Sequence, residues 1–389
     1  MTATAPKGFR AAGVAAGLRT GDGPDVALVV NDGPGRAAAG VFTANRVKAA
    51  PVRWSQQVLR GGALRAVVLN AGGANACTGP AGFQDTHATA EHAAAALAGA
   101  SGTDVGAGEI AVCSTGLIGE RLPVDRLLAG VDASVNSLSR DGGDAAAEAI
   151  LTTDTRPKTV TVSGHGWTVG GMAKGAGMLA PSLATLLAVL TTDAVADAAT
   201  LDGALREAVR VSFDRIDSDG CMSTNDSVLL LASGASGVEP SPGQLTEAVT
   251  VACDALAREL LADAEGATRQ VAIEVSGAAN VDDAVEVGRA VARNNLVKTA
   301  LFGGDPNWGR ILAAVGTADA AFDPDRLDVA INGVWVCRAG TAAADRSTVD
   351  LSGPAVAVQI VLHAGQATAT IRTNDLSHGY VQENSAYST

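Results

Sequence analysis

Apolar runs and segments of helical periodicity alternate along the whole chain. Short apolar runs bounded by turn residues predict β-strands, over Val26–Asn31, Ala38–Phe42, 66–69, 109–113, Ser227–Ala232 and 270–275. Alanine-rich or amphipathic segments predict helices over 88–97, 145–150, 201–211, 246–262 and 282–293. We expect residues 32–35 to form the turn between the first two strands, and strands to predominate beyond residue 310. Because no regular β-α-β alternation is present, this order favours an α+β fold in which sheet packs on sheet and helices cover the outside.

The most unusual stretch is GGMAKGAGMLAPSLAT at residues 170–185, directly before an apolar run at 186–190. Its four glycines let the backbone adopt positive φ and approach another group closely, and Lys174 is its only charge. Pro181 prevents a helix from continuing across the turn. Thr185 then lies at the junction between an irregular approach and a packed element, which is a place to hold a nucleophile.

Other interpretations compete for this stretch. A phosphate loop is excluded, because G-x-x-x-x-G-K-[ST] needs Gly before the lysine and a hydroxyl after it, where Ala173 and Gly175 stand. Residues 175–180 match the dinucleotide pattern G-x-G-x-x-[GA], with Asp193 near the distance expected for a ribose-binding acid. That pattern must open a helix, and Pro181 lies where the helix would continue. On local residues alone, an Ala/Gly-rich packing loop is slightly favoured over a turn that presents Thr185.

The composition is typical of an ordered globular protein with an acidic surface. The chain has 389 residues, enough for two domains or one large layered domain, and 47% of them are hydrophobic. The net charge of -13 disfavours nucleic acid and anionic membranes as partners, which leaves a small-molecule substrate. No apolar run has the length of a membrane span, and the first residues lack the apolar segment of a secretion signal, so we expect a cytoplasmic protein.

The cysteines and histidines favour neither disulfides nor a metal. The five cysteines are widely spaced, form no C-x-x-C pair and fit reduced core thiols: Cys77, Cys113, Cys221, Cys253 and Cys337. His87 and His92 are five residues apart, which does not place two ligands on one helix face. We therefore predict neither a metal site nor a cofactor.

Three polar loops carry candidate chemistry, since loops hold functional residues more often than cores do. The loop at 70–79 is too rich in Gly and Asn to be a simple connection. The loop at 114–119 places the step Thr115-Gly116 at a strand end. The hydroxyl cluster at 152–157 is either a helix cap with a turn, the better local explanation, or the lining of a site for a polar ligand.

Together these motifs resemble the ornithine acetyltransferase family, the bifunctional glutamate N-acetyltransferases/amino-acid acetyltransferases of arginine biosynthesis. The resemblance spans the whole chain. The motifs that carry it are Gly8-Phe9, VFT at 41–43, AAPV at 49–52, the loop at 70–79, Ser114-Thr115-Gly116, Thr152-Thr153-Asp154, residues 174–185, Ser223-Thr224-Asn225-Asp226, LVKTA at 296–300, DPNWGR at 305–310 and Glu383-Asn384-Ser385.

This resemblance implies a layered αββα sandwich of the self-processing N-terminal-nucleophile type. It implies cleavage between Ala184 and Thr185 into chains 1–184 and 185–389, which would assemble as an α2β2 heterotetramer without a cofactor. Thr185 would be the nucleophile, and its freed α-amino group, with an ordinary pKa of about 7.7 to 8.0, would be its base. Acetyl would pass from N-acetylornithine to Thr185 and then to glutamate. Whether acetyl-CoA is also accepted is left open.

The resemblance also assigns the other site residues. The oxyanion hole falls on Thr115 and Gly116, which fits a strand-end step that can aim donors at a developing charge. Lys174 suits a substrate carboxylate and Glu265 an ammonium group. The implied substrate contacts are Thr152, or its neighbour Thr153, with Lys174, Thr185, Glu265, Asn384 and Thr389.

Two loops depart from the family pattern. Asn-Ala-Gly-Gly at 70–73 replaces Asn-Ser-Gly-Asn, and Asp-Ala-Glu-Gly at 263–266 replaces Asp-Gly-Glu-Gly, but neither change removes a catalytic group. Two other functions remain as alternatives. A self-processing aminopeptidase or amidase of related fold would pass the acyl group to water, and a non-enzymatic binding module would remain an intact chain.

Overall fold

The computed structural model describes residues 2–102, 104–180 and 186–386, and the strands in these ranges form three sheets. The strands are β1 (Phe9–Val14), β2 (Val26–Asn31), β3 (Ala38–Phe42), β4 (Ala66–Asn70), β5 (Ile110–Ser114), β6 (Lys158–Ser163), β7 (Thr168–Lys174), β8 (Leu187–Thr192), β9 (Ser227–Ala232), β10 (Gln270–Ala278), β11 (Asp328–Ile331), β12 (Val334–Arg338), β13 (Thr341–Ala342), β14 (Ala355–Val361) and β15 (Ala367–Asn374).

Helices connect and cover these sheets. They are α1 (Ala50–Val58), α2 (Gly79–Ser101), α3 (Val124–Asn136), α4 (Gly143–Ala149), α5 (Ala198–Val211), α6 (Pro242–Ala262), α7 (Val281–Ala292), α8 (Asn295–Phe302), α9 (Trp308–Val315) and α10 (His378–Ala386). Among the described helices, none combines the length and the apolar character needed to cross a bilayer.

Two sheets pack face to face at the centre of the molecule. One has the order β1-β2-β4-β5 and the other β3-β9-β8-β7-β6. Side chains of β8 alternate in direction, so Leu187 and Val189 enter the core between the sheets while Ala188 and Leu190 enter a second core. Because both faces of the strand are covered, its sequence is a continuous apolar run rather than an alternating one.

Helices cover the outer faces of both sheets. Leu205 of α5 and Leu256 of α6 pack on the outer face of the β3-β9-β8-β7-β6 sheet. Leu97 of α2 and Val131 of α3 join the core of the other sheet. This helix–sheet–sheet–helix order confirms the α+β class and the layered αββα sandwich.

Helix α1 completes the exposed edge of β5, the strand that leads into the candidate site. Ser55 Oγ donates to Val112 O at 2.7 Å and accepts from Val112 N at 2.9 Å, and Trp54 Nε1 donates to Ile110 O at 3.0 Å. These side chains occupy backbone groups that an edge strand would otherwise leave unpaired. The end of β5 is therefore held in place from the side as well as by its partner β4.

The C-terminal third builds a further core that the sequence did not predict. Its sheet has the order β13-β12-β11-β14-β10-β15, and Val291 of α7 and Ile311 of α9 pack on it. The following helix, α10, contacts the loop after α6: a Cβ on Gly266 would lie 2.0 Å from Tyr380 N. The C-terminal segment thus comes back to the loop that carries Glu265.

The predicted turn at 32–35 connects β2 to β3, which belong to different sheets, and a Cβ on Gly33 would lie 2.4 Å from Ser233 O, so the turn packs on the end of β9. Two predictions about elements need correction. Residues 170–174 belong to strand β7 rather than to an irregular approach. There the N-terminal segment crosses the strand, and a Cβ on Gly170 would lie 2.4 Å from Thr2 O. Beyond residue 310, the remainder of α9 and all of α10 interrupt the expected run of strands, and Asn307 caps α9 by accepting from Arg310 N.

Candidate active site

One cavity collects residues from distant parts of the chain. Thr115 follows β5, Lys174 ends β7, Glu265 follows α6 and Asn384 lies in α10. The residues that line the cavity are Ala74, Thr115, Gly116, Ile118, Thr152, Thr153, Lys174, Gly177, Met178, Ser223, Asn225, Glu265 and Asn384. Every predicted site residue in the described part of the chain therefore lines this cavity.

The remaining predicted residues, Ala184, Thr185 and Thr389, lie outside the described residues. Gly177 and Met178 on the amino-terminal side of the proposed cleavage site line the cavity. On the other side, Leu186 is buried and donates its N–H to Asp226 Oδ1 at 2.9 Å. The nucleophile and the cleavage site stay predictions.

The step Thr115-Gly116 presents a hydroxyl to the cavity. The Thr115 N–H donates to Asn70 O at 3.0 Å, so this backbone donor is already used by the fold. Thr115 Oγ1 accepts from Lys174 Nζ at 3.4 Å, which leaves its own proton available to another acceptor. Gly116 has φ +124, and a Cβ there would lie 2.7 Å from Gly73 N, so only glycine fits.

Lys174 is the buried cation of the site, with 1% of its surface exposed. Its Nζ donates to Thr152 Oγ1 at 2.7 Å and lies 3.6 Å from Asp154 Oδ2. Burial lowers the pKa of Lys174, and the charge of Asp154 opposes this shift. The lysine connects the Thr115 hydroxyl, the Thr152 hydroxyl and a buried carboxylate.

Asp154 anchors this lysine and was not among the predicted site residues. Burial alone would raise its pKa, but the charges of Lys174 and Lys158, with hydrogen bonds from Lys158 and the Gly175 N–H, lower the pKa to about 2. Lys158 Nζ lies 2.5 Å from Asp154 Oδ1 and also bonds Asp263. The adjacent hydroxyls and the spacing of four residues between Asp154 and Lys158 were visible in the sequence, but only the fold brings in Lys174 and Asp263.

Glu265 supplies a carboxylate to the cavity. Thr153 Oγ1 donates to Glu265 Oε1 at 2.7 Å. A Cβ on Gly177 would lie 2.5 Å from Glu265 Oε2, so the glycine makes room for the carboxylate. Thr152 and Thr153 thus both line the cavity with different partners, Lys174 for the first and Glu265 for the second.

Asn225 supports the site structurally, and in the sequence it stands out only as part of the motif at 223–226. Its Nδ2 donates to Ala74 O at 2.6 Å and to Ser114 O at 2.9 Å. It therefore ties the end of β5 to the loop at 70–79, beside Thr115. An asparagine before an apolar strand is too common a pattern to indicate this role.

The cavity is suited to a small zwitterionic substrate. It offers a buried ammonium group, a carboxylate and hydroxyl donors within one enclosure, which can bind carboxylate, ammonium and carbonyl groups. Among the described residues, no group of three or more His, Cys, Asp or Glu side chains is arranged to hold a metal ion.

Comparisons with known proteins give one family. The ArgJ family model matches residues 10–389. The arginine biosynthesis bifunctional protein ArgJ of Streptomyces coelicolor is 63% identical over 388 residues, covering 100% of both chains. The protein of the same name from Thermobifida fusca is 62% identical over 389 residues, again covering 100% of both.

A solved structure of ornithine acetyltransferase from Mycobacterium tuberculosis, complexed with ornithine, is 67% identical, with a TM-score of 0.46, and covers 47% of this chain and 96% of that chain. The family model and the full-length relatives agree with the resemblance to the ornithine acetyltransferase family that the sequence motifs indicate. The chain belongs to the ArgJ family and is an acyltransferase of arginine biosynthesis.

Proposed function

We propose that this protein cleaves itself between Ala184 and Thr185 and then transfers acetyl from N-acetylornithine to glutamate through an acetyl-Thr185 intermediate. The observation that carries the proposal is the single cavity that holds Thr115, Gly116, Lys174 and Glu265, residues far apart in sequence that the reaction needs together. Chain segments close to the proposed cleavage site also contribute to that cavity.

The first half of the reaction forms the acetyl-enzyme. Thr185 Oγ1 attacks the acetyl carbonyl carbon of N-acetylornithine while the free α-amino group takes the hydroxyl proton. The Thr115 hydroxyl and the Gly116 N–H donate to the oxyanion. The carbon–nitrogen bond then breaks, the proton passes to the leaving nitrogen, and ornithine departs.

The second half regenerates the enzyme. The neutral α-amino group of glutamate attacks the ester carbon, and the same two donors stabilise the oxyanion. The α-amino group of Thr185 takes a proton from the attacking nitrogen and returns it to Thr185 Oγ1 as the ester carbon–oxygen bond breaks, which releases N-acetylglutamate. Both substrates carry an α-carboxylate that Lys174 can bind; Glu265 can bind an ammonium group, as on ornithine. Thr152, Asn384 and Thr389 complete the proposed contacts.

The charged lining of the cavity supports transfer over hydrolysis. Lys174 and Glu265, each hydrogen-bonded to one of the adjacent threonines 152 and 153, line the same cavity, so an amino-acid acceptor can be held against the ester in place of water. An aminopeptidase or amidase would use the same nucleophile but release the acyl group to water. Whether acetyl-CoA serves as a second acetyl donor is a separate question, which a parallel incubation in the product analysis below answers.

Product analysis tests this function. The protein is incubated with N-acetylornithine and glutamate, and N-acetylglutamate and free acetate are quantified. We expect N-acetylglutamate in amounts equal to ornithine, and none from Thr185→Ala. Acetate as the main product would instead establish a hydrolase, and a parallel incubation with acetyl-CoA and glutamate reports on the second donor.

A further inference from the structure

Lys158 is a buried lysine that the reaction described above does not use. It begins β6, the edge strand of its sheet, pairs in register with Ala173 of β7, and is 0% exposed. A lysine side chain is almost never fully buried unless its charge is paired. Its ammonium group lies 2.5 Å from Asp154 Oδ1 and also bonds Asp263 Oδ2. One cation therefore joins two carboxylates from distant parts of the chain.

Each of these carboxylates belongs to the support of one charged group of the cavity. Asp154 Oδ2 lies 3.6 Å from Lys174 Nζ. Asp263 directly follows α6 and precedes Glu265 by two residues. Lys158 thus lies between the carboxylate that anchors the cationic side of the cavity and the loop that supplies its anionic side.

The contacts around this bridge are buried and short. The side chains of Lys158 and Asp154 are 0% exposed and that of Asp263 is 5% exposed, so water does not screen their charges. Thr155 N donates to Asp263 Oδ2 at 2.9 Å, which closes the loop at 152–157 onto the end of α6. The relative positions of the two loops are therefore fixed by paired charges as well as by the backbone.

We propose that Lys158 is a positioning residue that fixes the separation of Lys174 and Glu265 and thereby selects the chain length of the amino-acid donor. This inference rests on the proposed function, in which Lys174 binds the α-carboxylate of N-acetylornithine and Glu265 binds its side-chain ammonium group. In such a donor, the number of methylene groups sets the distance between these two charges. Two binding groups held at a fixed separation therefore favour one chain length.

An ion bridge with only a structural role predicts a different effect. Its removal would loosen the site and lower kcat/KM for every donor by a similar factor. Removal of a positioning residue changes the ratio between donors, because the parent site misplaces one charge of a donor that is too long. A single methylene group changes kcat/KM by about 10- to 200-fold in a fitted pocket. The informative readout is therefore the ratio of kcat/KM for two donors that differ by one methylene group.

The test uses Lys158→Met, which keeps a long unbranched side chain and removes the ammonium group. Steady-state kinetics at saturating glutamate compares N-acetylornithine with Nα-acetyllysine, its homologue with one more methylene group. We expect the parent to prefer N-acetylornithine by at least about tenfold in kcat/KM, and the variant to lose about tenfold of this preference. Denaturing mass spectrometry and thermal unfolding measure cleavage and folding of each protein.

Arg65→Met is the matched control. Arg65 is also a buried cation, 6% exposed, and it donates to Asp32 Oδ1 at 2.8 Å and to Asn31 O at 2.6 Å. It precedes β4 at the end of that strand away from the loop at 70–79, and it lies outside the cavity lining with both of its partners. Its variant should keep the parent preference between the two donors, whatever stability it loses.

Each outcome decides the proposal. An unchanged ratio in Lys158→Met overturns it, whether or not kcat/KM falls for both donors together. A parent enzyme without preference overturns it as well, and so does an Arg65→Met enzyme that loses as much preference as Lys158→Met. If Lys158→Met does not fold or is not cleaved, Asp263→Asn, which removes the charge of the outer carboxylate, replaces it under the same criteria. A parent that forms no N-acetylglutamate from N-acetylornithine and glutamate would instead refute the proposed function itself.

Discussion

At the scale of residues, the site depends on how Lys174 shares its hydrogen-bond donors. One ammonium group reaches the hydroxyls of Thr152 and Thr115 and lies beside Asp154. Since the Thr115 hydroxyl accepts from the lysine, its proton can point to an oxyanion. In the proposed reaction, the lysine therefore orients the hydroxyl of the oxyanion hole and also offers charge to a substrate.

Thr115 is expected to contribute to turnover rather than to folding. Thr115→Ala keeps the N–H that bonds Asn70 but removes the hydroxyl, and losing one oxyanion donor lowers kcat by about 10²–10³. Thr115→Ser, which keeps the hydroxyl, should stay close to the parent. Rapid-quench and steady-state kinetics with thermal unfolding measure both effects. A Thr115→Ala enzyme with parent kcat would remove this residue from the oxyanion hole.

Asp154 makes stability depend on acid pH. Its folded-state pKa, about 2, lies below that of an unfolded Asp, about 3.9. A depressed folded pKa contributes stability that is present above the unfolded pKa and is lost as pH falls from about 4 toward 2. Asp154→Asn should therefore be less stable than the parent by about 3 kcal/mol at pH 7, and the difference should shrink below pH 4. Urea unfolding at several pH values measures it, and a difference that is constant with pH would contradict this assignment.

At the scale of elements, α10 brings Asn384 to the cavity and packs against a glycine in the loop after α6. Gly266 has φ +59, and a Cβ there would lie 2.0 Å from Tyr380 N. Gly237 has φ +71, and a Cβ added there would have no other atom within 4 Å. An alanine at either position would be strained by the positive φ, but only at position 266 would its Cβ also collide with the backbone of α10.

This pair separates helix placement from backbone strain. Gly266→Ala should displace α10 and so remove the contact of Asn384 with the substrate. Because that contact is made equally in the ground state and the transition state, Gly266→Ala and Asn384→Ala should raise KM by about the same factor. Gly237→Ala should cost about 1 kcal/mol of stability and leave KM unchanged. Kinetics and thermal unfolding of the three variants provide the comparison. Equal KM values for Gly266→Ala and the parent would mean that α10 does not position a substrate contact.

Sequence patterns located individual strands better than their partners. Val26–Asn31, Ala38–Phe42 and Ser227–Ala232 match the structure at both ends, because an apolar run between turn residues marks each boundary. Pairing was not predictable, since alternation along a strand does not say which sheet it joins. Helix starts were placed late: α6 begins at Pro242 with Ser241 and Gln244 as a capping box, signals that precede its apolar periodicity.

The candidate site was also predictable only in part: its residues could be selected from the sequence, but their spatial arrangement could not. Thr115, Lys174 and Glu265 were selected through family motifs, and no spacing in the sequence could have shown that they share a cavity. Asn225 was visible only as part of such a motif. Its supporting role depends on a contact with Ser114 that the fold creates.

At the scale of the whole molecule, the proposed cleavage would leave two chains that share one sheet. Strands β3, β6 and β7 precede residue 184, and β8 and β9 follow it, yet all five form one sheet. β7 pairs with β8 from Val169–Thr192 to Lys174–Leu187, and β3 pairs with β9. Separating the chains would break these ladders and open both cores on either side of the sheet.

Cleaved chains are therefore expected to stay together. Native size-exclusion chromatography should show residues 1–184 and 185–389 in one peak at equal amounts, and they should separate only in denaturant. We also expect two such pairs to assemble as an α2β2 particle, which light scattering measures. A stable single pair would contradict the tetramer, and free fragments in native buffer would contradict the shared sheet.

The most direct test of the account is mass spectrometry of the enzyme quenched in acid during turnover of N-acetylornithine without glutamate. We expect that the fragment 185–389 gains the mass of one acetyl group, that the group maps to Thr185, and that adding glutamate removes it and forms N-acetylglutamate. A full-length active chain, or turnover in which neither fragment ever carries acetyl, would contradict the covalent mechanism.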